Sequence, residues 1–456
     1  MKSRRTFIRE AGFVSLGFIG LHRFSNHFPI GTQKHGYGPL LDDPDRLLLL
    51  PRGFTYKIIS RKGDKMADGF LVPGLADGMA AFEENGKVIL VRNHEVSPGD
   101  IEQGPYGPNA ELLNKMQKNK IYDYGRGEKI GLGGTTNVVF DEKKQEVEKE
   151  FLSLTGTYRN CAGGPTPWGT WITCEESSAR ADEFLEKDHG YNFEIKASAD
   201  TGLVTPVPLK AMGRFTHEAV AVDPRTGIVY QTEDDSESLI YRFIPDKYGD
   251  MSSGKLQALM IKDQPSRDTR NWKKIDAPEF PVNQPMEVVW IDVDNIDDHD
   301  DDLRFRGFEA GAARFARGEG MWFGTGEVFF ACTNGGKENN GQIFRYVPGE
   351  HEGTDREQES PGKLELFIES MDSELMQFAD NLTVAPWGDV VVAEDKSEPR
   401  LVGITPKGEM YHIAKNIGIP SEFAGVCFSP SGDTLFVNLQ GPGLTFAIQG
   451  PWGNRL

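Results

Sequence analysis

Cysteine is scarce in this chain of 456 residues: Cys161, Cys174, Cys332 and Cys427 are all it has. None forms a CxxC pair, so a cysteine-rich zinc site is excluded. His217-Glu218 is not part of HExxH, which excludes a zincin. No GxSxG elbow is present, and nothing points to Ser/His/Asp catalysis. GLGGTTN (Gly131–Asn137) looks like a phosphate cradle, but no GK[ST] follows it, so a P-loop is not supported. Basic residues are outnumbered, Lys+Arg 50 against Asp+Glu 69, for a net charge of −19. No basic cluster could neutralise phosphates, so nucleic acid is excluded as a partner. The apolar stretch Ala11–Leu21 is far short of the roughly 20 residues that span a bilayer as a helix.

Glycine and proline are plentiful, 52 and 27, and 38% of residues are hydrophobic. That composition is globular, turn-rich and sufficient for a sizeable core. Acid residues gathered in one channel would attract divalent cations.

Ser3-Arg4-Arg5-Thr6-Phe7-Ile8-Arg9 fits a twin-arginine export signal. Residues 1–30 are therefore expected to be a targeting segment outside the fold. A periplasmic or extracellular location follows. That route carries folded proteins, often with cofactors already loaded, which favours a metal-dependent protein.

Short β-branched and aromatic runs recur, most ending on polar residues: KVILVRNHE, TWITCEE, GIVYQTEDD, EVFFACTNGG, DVVVAEDK and TLFVNLQ. Each follows a turn, and TPWGTWITCEE and APWGDVVVAED are close copies. YRFIP, IFRYVP and LVGITP read as the next strand, and TTNVVFD, EAVAVD, NLTVAP and GVCFSP as preceding ones. Repeated antiparallel units of this kind predict an all-β fold, a six-bladed β-propeller with inserted loops and few short helices. It would occupy residues 40–456 as a single domain, with FTYKIIS (Phe54–Ser60) pairing with LTFAIQG (Leu444–Gly450) to close the ring. Glu111–Asn119 is the clearest short amphipathic helix candidate. Cys174, Cys332 and Cys427 lie in strand-like runs and read as small core residues; Cys161 lies in a Gly-Pro loop.

If the runs are equivalent, their ends meet at one opening. They offer Asn93, His94, Glu95, Glu175, Glu176, Glu233, Asp234, Asp235, Asn334, Glu394 and Asp395. Carboxylates so close would raise one another's pKa unless cations sat among them, and oxygen donors at that density suit Ca2+. FARGEGMWFGTGE sets Arg317 beside Glu319 among glycines, a pairing suited to an oxyanion next to a metal. DVDNIDDHDDD (Asp292–Asp302) is not an EF-hand, because Ile296 takes a ligand position and Asp297 the place of the turn glycine; it reads as a solvated acidic insertion.

The motifs GGTTN, RNCAGGPTPWGTWITCEE, GRFTHEAVAVDP, FARGEGMWFGTGEVFFACTNGG, FADNLTVAPWGDVVVAEDK and FAGVCFSPSGDTLFVNLQGPG resemble the PhoX-type alkaline phosphatases, as does LPRGFTYKIISRKGD. The resemblance covers nearly the whole chain after the signal. It implies a six-bladed propeller that hydrolyses phosphomonoesters at a mixed iron–calcium centre, with a pair of ferric ions and two or three Ca2+. It further implies Cys161, Glu218 and Glu319 as iron ligands and Arg317 and Asn137 as the residues holding phosphate. Glu175, Glu176, Asp380 and Glu394 would form the calcium shell. No protein nucleophile is then required, although Thr135 or Thr136 could be proposed as one. The expected partners are small phosphomonoesters, and the expected state is a monomer. Two other readings stand beside it: a calcium-dependent hydrolase of lactonase type, with a single Ca2+ held by Asn, Asp and Glu in the channel and no need for a thiolate, and a non-catalytic propeller stabilised by calcium that binds a glycan or protein partner.

Overall fold

In a computed structural model that describes residues 35–127 and 129–454, the repeated runs are strands of a propeller. The twin-arginine segment lies outside the described residues. Six inner strands stand side by side in a closed ring: Ala76–Glu84, Asn160–Pro165, His217–Val222, Gly318–Phe323, Ala379–Val384 and Phe423–Phe428. Each opens one blade of antiparallel strands, numbered 1 to 6 here in chain order. Blade 2 has only three strands. Met286–Asp292 joins the outer strands of blades 3 and 4 into one continuous sheet.

Closure follows from both ends of the chain. Thr55–Arg61 forms the outer strand of blade 6, antiparallel to Leu444–Gln449. Leu48–Pro51 adds to the outer edge of blade 5. The ring is thereby closed by strand pairing as the sequence predicts.

The hairpin turns carry the expected chemistry. Asn85 and Gly86 both have positive φ, 52° and 75°, as the mirror-image two-residue turn of a β-hairpin requires. Hydrophobic clusters fill the spaces between neighbouring blades. Val91, Val139, Trp171 and Phe193 lie between blades 1 and 2, and Tyr230, Phe330 and Phe344 between blades 3 and 4. A blade is thus covered on both faces, which is why its strands read as unbroken apolar runs rather than alternating ones. Cys174, Cys332 and Cys427 are buried in such clusters.

Glu111–Asn119 is not an α-helix. It forms two 3-10 turns, Leu113–Lys115 and Lys118–Lys120, after a left-handed Ala110 (φ 55°). Its half-buried Leu112, Leu113 and Met116 pack onto the Met66–Tyr106 cluster, so tertiary contact overrides a weak local propensity. Among the described residues the α-helix is Leu303–Glu309. It follows the acidic insertion, which is tied down by basic groups: Asp300 pairs with Arg180, Asp297 with Lys210 and Asp302 with Arg306.

Candidate metal centre

The six inner strands share one irregularity at one height. In blade 1, Ala76 pairs with His94 and Met79 with Arg92, so Asp77 and Gly78 together face Asn93. The same two-against-one bulge recurs at Cys161-Ala162, Glu218-Ala219, Glu319-Gly320, Asp380-Asn381 and Gly425-Val426. A bulge re-aims the side chain of its residue. Five of the six bulges begin with a residue that can bind metal: Asp77, Cys161, Glu218, Glu319 and Asp380. The sixth begins with Gly425, and blade 6 contributes Glu422 from just before its strand instead.

The second strands complete the cluster. Glu95, Glu176, Asp234 and Asp395 follow the last residues of those strands in blades 1, 2, 3 and 5. Donor atoms within 4.8 Å of one another form four overlapping triads: Asp77/Glu95/Cys161, Cys161/Glu176/Glu218, Glu218/Glu319/Asp380 and Asp380/Asp395/Glu422. The chain of donors therefore runs from blade 1 through blades 2 to 5 to blade 6.

Neighbouring blades hold the bulges by their carbonyl groups. Asn93 Nδ2 donates to the carbonyls of Cys161 and Ala162 at 3.1 and 2.6 Å. Thr232 donates to that of Glu319 at 2.6 Å, and Asn438 to that of Asp77 at 2.6 Å. Gly78 and Gly320 are needed where the inner strands meet. A Cβ on Gly78 would stand 2.5 Å from the Cα of Ala162, and one on Gly320 2.7 Å from the carbonyl oxygen of Asp380. Below the bulges the strands close on a small cavity lined by Met79, Ala162, Trp171, Met321, Trp322 and Leu382.

Two arginines border the donors. Arg317 forks onto Asp234, Nε to Oδ1 at 2.8 Å and Nη2 to Oδ2 at 2.7 Å, and reaches Glu319 at 2.9 Å. Arg159 pairs with Glu95 at 2.8 Å and with Glu176.

Two cationic groups do not balance this many acids. Burial, then the neighbouring Glu95, pushes Glu176 up to about 9. Burial and Asp395 push Asp380 up to about 8 and Glu422 to about 11. Burial and surrounding carboxylates hold Asp77, Glu218, Glu319 and the Cys161 thiol well above their ordinary values. Both oxygens of the Glu218 carboxylate are buried without a hydrogen-bond partner. Protein interiors rarely leave such atoms unpaired. A cluster of carboxylates with one thiolate, unpaired and short of positive charge, fits cations: oxygen donors suit Ca2+, and a thiolate beside carboxylates suits iron.

The profile of the family described as "Alkaline phosphatase PhoX" matches residues 35–443. The chain belongs to the PhoX alkaline phosphatase family. A solved structure of Pseudomonas fluorescens PhoX in complex with vanadate, a transition state analogue, has the same fold. It is 19% identical, with a TM-score of 0.62 over 91% of this chain and 98% of that one. A gluconolactonase from Xanthomonas campestris, XC5397, is 12% identical with a TM-score of 0.41, over 88% of this chain and 96% of that one. No curated protein sequence matches the chain.

In this PhoX-family chain the residues expected from sequence divide into two groups. Cys161, Glu176, Glu218, Glu319 and Asp380 come together, with Arg317 beside them. Glu175, Glu394 and Asn137 do not. Glu175 is buried away from the cluster, accepting from His189 Nδ1 at 2.7 Å and from the backbone N–H groups of Tyr158, Gly190 and Tyr191. Glu394 takes Arg400 Nε at 2.8 Å and Nη2 at 2.6 Å, with the N–H groups of Gln377 and Arg400. Both are paired strand residues one position before a donor, and successive side chains on a strand point to opposite faces. Asn137 lies on the third strand of blade 1 opposite Val91 and donates to the carbonyls of Lys196 and Ser198. Thr135 and Thr136 are equally buried, bonded to Ser153 and to His94.

Sequence reasoning missed Asp77 and Glu422, and placed Glu95 and Asp395 only among the strand ends. One signal for Asp77 was available: Leu75-Ala76-Asp77 repeats the pattern of Phe378-Ala379-Asp380. Glu422 has no such counterpart.

Proposed function

We propose that the protein is an exported, monomeric phosphatase that hydrolyses small phosphate monoesters at an iron–calcium centre on this ring of bulges. Cys161, Glu218 and Glu319 would hold iron, and Asp77, Glu95, Glu176, Asp380, Asp395 and Glu422 would hold calcium. Bound there, the cations supply positive charge and Lewis acidity to a phosphoryl group. Arg317 binds the equatorial phosphoryl oxygens, where negative charge builds in the transition state. Asp234 holds the guanidinium in a fixed plane for that contact. The half-exposed guanidiniums of Arg159 and Arg317 mark the solvent-facing side of the donors, from which a substrate would approach. Among the described residues no helix is long and apolar enough to cross a membrane.

The observation that carries this reading is Glu218, with two buried carboxylate oxygens that no described residue satisfies, within family membership across residues 35–443. Elemental analysis of the protein exported by its native host tests it, beside hydrolysis of an aryl phosphate with and without EGTA. Iron and calcium together, with turnover abolished by EGTA, are expected. Calcium alone, with a lactone opened and no phosphate released, would overturn the phosphatase in favour of a lactonase-type hydrolase.

A further inference from the structure

Arg159 and Arg317 occupy equivalent places in blades 2 and 4. Each immediately precedes its inner strand, and each stands two residues before a bulge donor, Cys161 in one case and Glu319 in the other. Their carbonyls accept equivalent bonds, from the N–H groups of Glu176 and Thr333. Both are left-handed, with φ of 46° and 49°, a conformation that Leu75 and Phe378 share at the same place in blades 1 and 5, so it belongs to the blade repeat and sets how these side chains leave the strand.

The two guanidiniums flank one acid pair. Arg159 holds Glu176, the Glu176 carboxyl is hydrogen-bonded to Asp234, and Asp234 is forked by Arg317. Glu95, the other partner of Arg159, belongs to the triad with Asp77 and Cys161.

Exposure separates these two from three arginines that are buried together with the acids they pair. The side chains of Arg92, Arg242 and Arg400, paired with Glu150, Glu352 and Glu394, are 1%, 1% and 6% exposed. Those of Arg159 and Arg317 are 41% and 36% exposed. A guanidinium kept at the open end of a donor cluster is available to an incoming anion. Once cations engage Glu95 and Glu176, its planar fork of N–H donors matches phosphoryl oxygens.

We propose that Arg159 is a second substrate-binding residue, gripping the phosphoryl group from the far side of the Glu176–Asp234 pair relative to Arg317. The inference rests on the phosphatase reading for the identity of the anion. It rests on the blade-to-blade repeat for the residue.

The test uses metal-loaded protein carrying Arg159→Gln or Arg159→Lys. Inorganic phosphate is titrated calorimetrically, 4-nitrophenyl phosphate turnover is followed, and iron, calcium and the Tm are measured for each. Loss of a charge-assisted contact is expected to weaken phosphate binding roughly 10- to 100-fold in Arg159→Gln. KM should rise by a similar factor and kcat should change less, while metal content holds. Arg159→Lys, which keeps the charge but loses the fork, should fall between. Unchanged phosphate affinity and KM would overturn the proposal, and so would loss of metal with a lowered Tm in both variants, since Arg159 would then only balance Glu95 and Glu176. A wild-type protein that binds phosphate but hydrolyses no ester would sink the phosphatase reading and leave the titration to decide Arg159. One that binds no phosphate would sink both.

Discussion

Asn93 Nδ2 lies 2.6 Å from the carbonyl oxygen of Ala162, so a second-strand residue of blade 1 fixes the bulge of blade 2. Its Oδ1 accepts from Trp171 Nε1 at 2.8 Å, which locks the amide in place. The position of Cys161 is therefore set by a neighbouring blade as well as by its own strand. Asn93→Leu removes both contacts and strands two buried carbonyls, a cost of about 1–3 kcal/mol each. The variant should melt lower and bind iron more weakly, as read by calorimetry and elemental analysis. Full iron content at an unchanged Tm would show that the brace does nothing for the site.

Cys161→Ser should separate the site's two kinds of donor. Iron should fall to a small fraction of the wild-type content while calcium stays near it. Cys174→Ser, in the core between blades 2 and 3, should lower the Tm and leave iron per folded molecule unchanged.

Glu218→Gln and Glu394→Gln should act in opposite directions. Glu218 has no hydrogen-bond partner among the described residues, and burial and neighbouring carboxylates oppose its ionisation, so replacing it with a group that does not ionise should raise the Tm of metal-free protein at neutral pH while abolishing metal binding and turnover. Glu394→Gln leaves Arg400 buried without its counter-charge, which costs about 3–5 kcal/mol. Its metal content per folded molecule should be normal. Metal loss in Glu394→Gln alone would return that residue to the centre.

Metal-free protein should lose stability as pH rises. Glu176 and Asp380 are raised to about 9 and about 8 in the folded state, above their ordinary values near 4. A carboxyl with a raised folded pKa contributes most below its unfolded value, and that contribution is lost as pH climbs through the interval to the folded one. The Tm of protein stripped with chelator should therefore fall from pH 5 to pH 9. Added Ca2+ should restore it most at pH 9, where the carboxylates need no protons removed. A flat Tm across this window would mean the carboxyls are not held protonated.

The strands, and with them the propeller, could be read from the chain because each blade is covered on both faces. KVILVRNHE and DVVVAEDK are unbroken apolar runs for that reason, and turns such as Asn85-Gly86 mark where they reverse. The site was half visible. Acidic pairs at strand ends pointed to a cluster, but in Glu175-Glu176 and Glu394-Asp395 the chain alone does not say which member faces inward. The structure assigns Glu176 and Asp395, and buries Glu175 and Glu394 against His189 and Arg400.

What the sequence determined by itself is local: the turn residues, the apolar runs and the repeat of a strand ending on acids; the Gly-Pro run that carries Cys161 reads as a loop but is the inner strand Asn160–Pro165, held by pairing with Thr170–Glu175. The tertiary structure alone decided which side chains share a space. Asp77 and Glu422 are 345 positions apart in number yet belong to one chain of donors. They come near enough to repel each other because closing the ring sets the first blade against the last, and because a bulge shifts strand phase in a way no alternation pattern records. Register and closure are properties of paired strands, and a single strand read alone carries neither.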